Sequence, residues 1–377
     1  MRRQNDTLTL DRWLVFSFLA LILFGLVMVA SASIAKSYAY FHVDLYFFIK
    51  QLIFSILALA AVTFMIFIPT QIWQRLGQWW IVIALVLLIL VLVPGVGRSV
   101  NGSQRWIHLG PLVIQVSEAA KWCAVMYIGD YLVRHQHNIT TSILSLVKPL
   151  AVLALMAGLL LLEPDFGATV VIFTTALGMM FIAGARLRWF VLFIVIGALA
   201  AGALIVISPY RMHRLVGFLH PWHDQLGAGY QLVQALIAIG RGGIFGVGLG
   251  DSLQKLFYLP EAHTDFILSI IAEELGLIGI LCLLALFAIL VWRGLKIACQ
   301  AYHLQQFFDA YTGYGVTLWL GMQVIVSACV NLGLLPTKGL ALPFISYGGS
   351  SLLIDCLAVG LLLRIDLQNR IATKQWL

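Results

Sequence analysis

Residues 13–33 have the sequence WLVFSFLALILFGLVMVASAS, which contains no charged side chain. A helix of this length crosses the hydrocarbon core of a bilayer, which requires about 20 apolar residues. No signal-peptidase cleavage site stands out after the run, so we expect it to stay in the protein as a first membrane span. The fold is therefore predicted outward from this segment, as a series of membrane helices.

The composition of the whole chain points the same way. Of its 377 residues, 62% are hydrophobic and only 10% are charged, and the mean hydropathy is +0.98. A soluble domain carries about 25% charged residues, so this composition excludes a soluble fold, a disordered chain and a coiled coil. The formal net charge of +7 is attributed to basic residues beside the cytoplasmic ends of helices rather than to nucleic-acid binding. The five cysteines are far apart and suggest neither disulfides nor a metal site.

Ten apolar segments have lengths near that of a membrane span. Basic residues in the short connections are more numerous on the side of the N-terminus, which predicts cytoplasmic N- and C-termini. The chain is thus predicted to be an all-α polytopic membrane protein with one membrane domain, a cytoplasmic N-terminus at 1–12 and a cytoplasmic tail at 365–377. The predicted spans are 13–33, 46–68, 79–94, 112–133, 145–162, 166–184, 188–207, 265–292, 311–332 and 341–364.

One large extracytoplasmic loop, residues 208–264, is predicted between the seventh and eighth spans. Long loops in compact proteins are usually functional or disordered. This loop contains many aromatic residues and an apolar run from Leu232 to Ile239, which we interpret as a re-entrant or interfacial helix. We therefore expect an ordered, functional loop.

Asp265 is the strongest candidate for chemistry, because it stands where this loop enters the eighth span. The structural alternative is that Thr264 or Asp265 caps the following helix. The functional interpretation is a general base at the outer membrane face, which accepts a proton from a hydroxyl nucleophile. Glu261 and His263 are close enough in sequence to tune the pKa of Asp265 or to share a metal ion with it.

Glu118 and Lys121 are three residues apart and share one face of a helix inside a predicted span. Ionisable residues in a membrane are costly, so they are candidates for function. The pair is either a structural ion pair that stabilises helix packing or part of a cavity in which Lys121 faces an anionic group. Both interpretations can hold together.

Basic residues on the predicted outer side suit the recognition of phosphate or sugar groups. The alternative for each of them, and for Trp106, is anchoring at the membrane interface. The candidates, with the neighbouring amide of Asn101, are Arg98, Asn101, Arg105, Trp106, Arg211, Arg214, Arg241 and Lys255.

Two glycine-containing segments remain. The stretch from Gly240 to Gly250 lacks the ending of a nucleotide-binding loop, so we predict a tight loop whose backbone approaches a ligand or a helix. Ser346, Gly348 and Gly349 open the last predicted span, where a broken helix can line a cavity or allow close helix packing.

The residues alone thus indicate an outward-facing site with one carboxylate, several arginines and access to lipid. This fits a transferase acting on a lipid-linked phosphate substrate, or a transporter that moves one.

Long sequence motifs, spread from the first predicted span to the last, are characteristic enough to be compared with those of a known family. They are Asn101-Gly-Ser-Gln-Arg-Trp-Ile, Leu109-Gly-Pro, Gln115-Val-Ser-Glu118-Ala-Ala-Lys121, Glu163-Pro-Asp-Phe-Gly167, Pro209-Tyr-Arg-Met-His-Arg-Leu, Pro221-Trp222, Gly229-Tyr-Gln-Leu, Gln254-Lys-Leu-Phe-Tyr-Leu-Pro-Glu-Ala-His-Thr-Asp-Phe266, Glu273-Glu-Leu-Gly276 and Pro343-Phe-Ile-Ser-Tyr-Gly-Gly-Ser. This set resembles the SEDS family (shape, elongation, division, sporulation), and its division branch more than its elongation branch. One departure is Val116, where the family usually has proline.

The resemblance implies a ten-span peptidoglycan glycosyltransferase that polymerises lipid II into β-1,4 glycan strands at the division septum. It implies that Asp265 is the essential aspartate, a general base on the acceptor 4-hydroxyl, with undecaprenyl diphosphate as leaving group. It also implies that Trp106 lines the cavity, that Glu118 and Lys121 form a buried pair, and that Mg²⁺ or Mn²⁺ assists. The metal ligands stay open, with Asp265 as one possibility and no organic cofactor expected.

The resemblance further implies partners in the bacterial cytoplasmic membrane. They are a class B penicillin-binding protein, the transpeptidase FtsI, and divisome membrane proteins of the FtsQ, FtsL and FtsB type. Two alternatives stay open: a lipid II flippase, and a non-catalytic scaffold that recruits the transpeptidase.

Overall fold

The computed structural model describes residues 10–100, 103–110, 112–227, 229–336 and 339–375. In these ranges the chain is mostly helical, with one small sheet. The helices are α1 Arg12–Phe41, α2 Tyr46–Phe67, α3 Thr70–Leu76, α4 Trp79–Leu92, α5 Val116–Arg134, α6 Gln136–Ile139, α7 Leu144–Leu162, α8 Phe166–Ile182, α9 Leu187–Ile207, α10 Pro209–Leu219, α11 Tyr230–Gly242, α12 Ile267–His303, α13 Phe307–Asn331 and α14 Gly349–Gln375.

Each of the ten predicted spans overlaps one helix. In the described part of the chain, six helices are long and apolar enough to cross a membrane, and α3 with α4 forms a seventh such unit that is bent by 68°. The six are α1, α2, α7, α9, α12 and α13. The protein is thus a multi-pass membrane protein by length and composition.

The prediction of an all-α chain was wrong for residues 97–115. Strands β1 Gly97–Val100, β2 Ser103–Leu109 and β3 Leu112–Gln115 form an antiparallel sheet in the order β1-β2-β3. Trp106 pairs with Arg98 on one side and with Gln115 on the other. Aromatic and β-branched residues favour such pairing, and Gly110, with φ +64°, provides the turn between β2 and β3. The sheet occupies what was predicted as a loop and the start of a span.

Helix α5 begins directly after the sheet, at Val116. Proline is favoured at the first position of a helix, but it is not required there. The departure from the family pattern at Val116 therefore leaves the start of this helix intact.

Helix α12 is interrupted at Gly276, which has φ 67° and ψ −163°. The loop after α11 lies in this break and completes its hydrogen bonds. Val247 and Gly248 donate their N–H groups to the carbonyls of Glu273 and Glu274, at 2.9 and 3.1 Å. The N–H groups of Leu277 and Ile278 donate to the carbonyls of Gly243 and Ile244, at 3.0 and 3.2 Å. The glycine-rich stretch therefore approaches a helix, which was one of its two predicted roles.

The last helix begins at Gly349, eight residues later than the predicted start of the span. The preceding residues form turns that pack against α1, where a Cβ on Gly25 would lie 2.9 Å from the Cα of Ile345. Small residues allow helices and loops to approach this closely inside a membrane protein. Ser346 and Tyr347 of this segment donate to the carbonyls of Thr264 and His263, at 2.6 and 2.9 Å, and so lie beside the lead-in to α12.

The two ends of α1 mark the two ends of the bundle. At its start, Asp11 accepts from Arg293 of α12 and its backbone N–H donates to Asp366 of α14, at 3.0 Å. Near its other end, Lys36 lies 3.6 Å from Glu261. The predicted outer loop and Asp265 are therefore at the end of the bundle opposite Asp11.

Candidate active site

The carboxylate of Asp265 does not cap α12. Phe266 occupies the N-cap position of α12, and its side chain accepts no hydrogen bond there. Instead, Asn331 of α13 provides a hydrogen-bond acceptor for the first turn of α12. Its Oδ1 accepts from the N–H of Ser269 at 3.3 Å. Its Nδ2 donates to the main-chain carbonyl of Asp265 at 3.1 Å. The capping alternative was therefore wrong: among the described residues, no backbone N–H of α12 donates to the carboxylate of Asp265.

The electrostatic surroundings of Asp265 raise its pKa to about 7. Burial of the carboxylate is the main cause, because it disfavours the charged form. The charge of Glu261 raises the pKa further, and that of Asp165 does so to a lesser extent, whereas Arg105 and Arg214 lower it. A carboxylate with a pKa near neutrality is suited to accept a proton and release it again.

Glu261 and His263 precede Asp265 in a tight turn. Glu261 has φ 55°, and its side chain accepts from the hydroxyl of Thr264 at 2.9 Å. The ring of His263 is buried between Phe47 and Tyr347, with ring centroids 4.9 and 5.7 Å away. Burial and the charge of Lys36 lower the pKa of His263 to about 4, so this ring is neutral at physiological pH. His263 therefore packs against neighbouring rings and adds no charge beside Asp265.

Arg105 on β2 holds the loop between α7 and α8. Its Nε donates to the carbonyl of Glu163 at 2.9 Å and its Nη2 to that of Pro164 at 2.5 Å. Asp165, 3.9 Å from Arg105 Nη1, caps α8 by accepting from the N–H of Ala168 at 3.1 Å. The carboxyl of Glu163 is fully buried, and burial together with the charge of Asp165 raises its pKa to about 8. In the sequence analysis, Glu163 and Asp165 appear only within the motif Glu163-Pro-Asp-Phe-Gly167, without a role of their own.

The remaining basic and aromatic candidates with described positions lie on the sheet and on α10. Trp106 is half-buried on β2, and Arg98 is exposed on β1 beside it. Arg214 is half-buried on α10, and its charge acts on Asp265. Asn101 lies outside the described residues. The backbone of Arg211 is part of α10, but its side chain is outside what the structure describes.

Ser346 supports the turn that carries Asp265. Its hydroxyl donates to the carbonyl of Thr264 at 2.6 Å and accepts from the N–H of Leu342 at 2.8 Å. The N–H of Gly348 donates to the side chain of Gln51 at 3.3 Å. A Cβ on Gly349 would lie 2.6 Å from the ring of Phe54, so this glycine allows close packing on α2. These residues fix the backbone around Asp265.

Glu118 and Lys121 form a buried ion pair of 2.7 Å on α5. Lys121 Nζ also donates to Gln323 Oε1 at 2.6 Å, and the same oxygen accepts from the indole of Trp319 at 2.9 Å. Gln323 Nε2 donates to the carbonyl of Ala341 at 2.9 Å. The pair thus packs between α5 and α13 and reaches the segment that precedes Ser346. Both predicted interpretations are compatible with this geometry, since Lys121 also lines a narrow, mostly apolar cavity.

Arg241 and Lys255 are paired with the two buried carboxylates at the break in α12. Arg241 lies 2.9 Å from Glu273, which also accepts from the hydroxyl of Ser252 at 2.5 Å. Lys255 lies 2.8 Å from Glu274, which also accepts from Ser31 at 2.7 Å. These two cations therefore join α11 and the loop that follows it to α12 and α1. Glu273 and Glu274 thus each have a cationic partner.

A cation site made by the protein alone is not seen in the described ranges, where no three His, Cys, Asp or Glu side chains converge on one point. The carboxylates whose charges act on Asp265 are those of Glu261 and Asp165. One or two carboxylates with substrate phosphates are a usual coordination for Mg²⁺. These residues therefore fit a cation that is shared with a phosphate-bearing substrate.

Sequence reasoning missed Asn331, Gly339 and Gln323. Asn331 and Gln323 are amides inside a predicted span, and a polar side chain at such a place is the signal that could have identified them. A Cβ on Gly339 would lie 2.8 Å from Asp265 Oδ2. No pattern in the sequence places Gly339 beside Asp265, because the contact joins residues far apart in the chain.

Comparisons with known proteins identify the family of the chain. A model of the cell cycle protein family that comprises FtsW, RodA and SpoVE matches residues 12–371. A protein of Legionella pneumophila named "Probable peptidoglycan glycosyltransferase FtsW" is 49% identical over 360 residues, which cover 96% of this chain and 91% of that protein. A protein of the same name from Pseudomonas fluorescens is 50% identical over 362 residues, with coverage of 96% and 89%.

Two solved structures share the fold. A chain from the structure described as "Structural coordination of polymerization and crosslinking by a peptidoglycan synthase complex" superposes with a TM-score of 0.80 at 28% identity, covering 96% of this chain and 99% of that one. The rod shape determining protein RodA of Thermus thermophilus superposes with a TM-score of 0.70 at 28% identity, with coverage of 96% and 98%.

Proposed function

The chain belongs to the FtsW, RodA and SpoVE family of cell cycle proteins, and we propose that it is a peptidoglycan glycosyltransferase of the septal FtsW type. It polymerises lipid II into β-1,4-linked glycan strands at the outer face of the cytoplasmic membrane. Identity near one half to relatives with this name supports the activity. The carboxylate of Asp265, which does not cap α12 and has a pKa near 7, is the observation that carries the proposal.

Asp265 is proposed as the general base. It accepts the proton of the acceptor 4-hydroxyl while the hydroxyl oxygen forms a bond to the anomeric carbon of the growing donor strand. The bond from that carbon to the diphosphate oxygen breaks, and undecaprenyl diphosphate leaves with the electron pair. A base with a pKa near the working pH is well matched to such a transfer. The diphosphate linkage supplies the driving force.

The leaving diphosphate requires positive charge. Arg105 and Arg214 are the cations whose charges act on Asp265, so they are the first candidates. Arg105 is held in place by the carbonyls of Glu163 and Pro164, which gives it a fixed position beside the site. Arg98 and Arg211 are further candidates, and Trp106 is proposed as part of the cavity wall. Glu118 and Lys121 are proposed to stabilise the helices below it.

A divalent cation, Mg²⁺ or Mn²⁺, is proposed to assist. Asp265, Glu261 or Asp165 would hold it together with oxygens of the substrate diphosphate. When bound, it supplies charge that stabilises the leaving diphosphate.

The proposed topology has ten spans, cytoplasmic termini at 1–12 and 365–377, and the loop 208–264 outside. The proposed partners are a class B penicillin-binding protein, FtsI, with FtsQ, FtsL and FtsB type proteins at the septum. The structural neighbour described as a complex for polymerization and crosslinking supports a transpeptidase partner.

Polymerisation of purified lipid II by the protein with its transpeptidase tests the proposal. We expect glycan strands from the wild type and none from Asp265→Ala or Asp265→Asn, which should both fold and bind the partner. Equal product from all three proteins would remove Asp265 from the mechanism. No product from any of them, with Mg²⁺ or Mn²⁺ present, would favour the flippase or the scaffold.

A further inference from the structure

Gln323 of α13 is a fully buried amide that joins α5, α13 and the segment before α14. Its Oε1 accepts from Lys121 Nζ at 2.6 Å and from the indole N–H of Trp319 at 2.9 Å. Its Nε2 donates to the main-chain carbonyl of Ala341 at 2.9 Å. An ammonium and an indole only donate, and a carbonyl only accepts, so these three hydrogen bonds fix the orientation of the amide.

The segment that Gln323 holds packs on the carboxylate of Asp265. Two residues before Ala341, Gly339 lies so close that a Cβ on it would be 2.8 Å from Asp265 Oδ2 and 3.5 Å from Cγ. No side chain fits between this glycine and the carboxylate. Gly339 therefore bounds one side of the carboxylate, and a movement of segment 339–341 changes the surroundings of Oδ2.

Two contacts attach segment 339–341 to the membrane helices. Leu340 is buried and packs on Gly167 of α8, where a Cβ would lie 2.8 Å from Leu340 Cγ. The other contact is the hydrogen bond from Gln323 to Ala341. An apolar contact has no preferred direction, whereas a hydrogen bond sets both a distance and an angle. The bond from Gln323 is therefore the contact that fixes the register of the segment on α13.

We propose that Gln323 is a positioning residue for Asp265: it holds segment 339–341 against the carboxylate and so sets the direction in which the base faces the acceptor hydroxyl. This inference rests on the proposed function, because it assigns Gln323 a task in orienting the general base. Lys121 takes part through Gln323, since its ammonium fixes the oxygen end of the amide. The pair of Glu118 and Lys121 thereby contributes to the reaction as well as to helix packing.

The test is lipid II polymerisation by Gln323→Glu in complex with the transpeptidase. The new carboxylate has the same length and accepts from Lys121 and Trp319, but it has no N–H group for the carbonyl of Ala341. Segment 339–341 then loses its directed attachment while the cation on α5 keeps a partner. We expect kcat to fall at least 10-fold with KM for lipid II within twofold of the wild type, because a displacement of about 1 Å can cost about 100-fold in rate.

The pH profile of the same variant gives a second readout, which a merely structural role would not move. Burial is the main cause that raises the pKa of Asp265 to about 7. A loosened Gly339 admits water to the carboxylate, which lowers this pKa. The acidic limb of the rate profile of Gln323→Glu should therefore lie at lower pH than that of the wild type.

Asn369→Leu is the matched control at the other end of the bundle. Asn369 of α14 is also a fully buried amide, and its Nδ2 donates to the main-chain carbonyl of Ile297 at 3.0 Å. The substitution removes the same kind of hydrogen bond far from Asp265. Its kcat, KM and acidic limb should equal those of the wild type, whatever its melting temperature.

Leu340→Ala tests the same inference should Gln323→Glu not fold. It removes the other attachment of segment 339–341 without a change of charge. We expect the same pattern, a lower kcat with an unchanged KM and an acidic limb at lower pH. Wild-type values of kcat and of the acidic limb in Leu340→Ala would overturn the proposal.

The outcomes separate this inference from the proposed function. A fall in kcat and a shifted limb in Gln323→Glu, with a wild-type profile in Asn369→Leu, support it. Wild-type kcat in a folded Gln323→Glu overturns it, as does an equal fall in both variants or a fall without a shift of the limb. A wild type that makes no glycan strand refutes the proposed function itself.

Discussion

Lys255 and Glu274 form an ion pair of 2.8 Å that joins the loop after α11 to α12 at the point where this helix is broken. Both side chains are nearly fully buried. The hydroxyl of Ser31 on α1 donates to the same carboxylate at 2.7 Å. Three separate parts of the chain, α1, the loop and α12, are therefore linked at the break in α12.

Removal of one partner of this pair should destabilise the protein strongly. In Lys255→Met, Glu274 stays buried without its cation, and such changes cost about 3–5 kcal/mol. The double variant Lys255→Met with Glu274→Gln removes both charges and should recover a large part of that loss. Thermal unfolding in detergent measures the stability of both variants relative to the wild type. A double variant as unstable as the single one would show that charge pairing is not the cause.

Gly276→Ala should destabilise the break in α12. Gly276 has φ +67°, and a Cβ there would lie 2.5 Å from the carbonyl oxygen of Ile244. The strained backbone alone costs about 1–3 kcal/mol, and the displaced loop adds to this. The control is Gly240→Ala on α11, which should be neutral or stabilising by up to about 1 kcal/mol. Equal melting temperatures for the two variants would contradict the described loop insertion.

The pH dependence of activity should respond to the charges around Asp265 in opposite directions. Glu261 raises the pKa of Asp265 and Arg214 lowers it. Glu261→Gln should therefore move the acidic limb of the rate profile to lower pH, and Arg214→Gln should move it to higher pH. Initial rates of polymerisation between pH 5 and 9 measure both. Shifts in the same direction would refute this electrostatic account.

Asp265 should reduce stability at high pH. Its pKa is about 7 in the folded protein against an ordinary value of 3.8, so the folded state binds the proton more tightly than the unfolded state. Stability contributed by the protonated form is complete below pH 3.8 and is lost as the pH rises through 7. Asp265→Asn should thus raise the melting temperature at pH 8, by a stabilisation on the order of a few kcal/mol, and change it little at pH 4. A melting temperature of Asp265→Asn below that of the wild type at pH 8 would contradict the prediction that the ionised carboxylate destabilises the folded state.

Much of the architecture followed from hydropathy, because an apolar run near the length of a bilayer has few other uses. The runs at 13–33, 46–68 and 188–207 each coincide with a helix that is long and apolar enough to span a membrane. The sheet at 97–115 could not be predicted in this way. Its strands have four to seven residues, and their pairing depends on neighbours rather than on hydropathy.

The site was predicted in part. The position of Asp265 after the long loop indicated a candidate base, but its use as a helix cap was an equally open interpretation. The hydrogen bonds of Asn331 to the first turn of α12 and to the carbonyl of Asp265 distinguish the two interpretations, and Asn331 lies 66 residues further along the chain. The neighbourhood of Gly339 and the burial of Glu163 likewise arise from tertiary packing, which no local pattern records.

The most direct measurement of the central claim is the pH profile of lipid II polymerisation for the wild type beside Asp265→Asn. If Asp265 is the general base, the wild-type rate rises tenfold per pH unit below about pH 7 and then levels off, in keeping with its pKa. Asp265→Asn should then be at least 100-fold slower at every pH. An Asp265→Asn protein with wild-type rates, or with the same acidic limb, would show that another group accepts the proton.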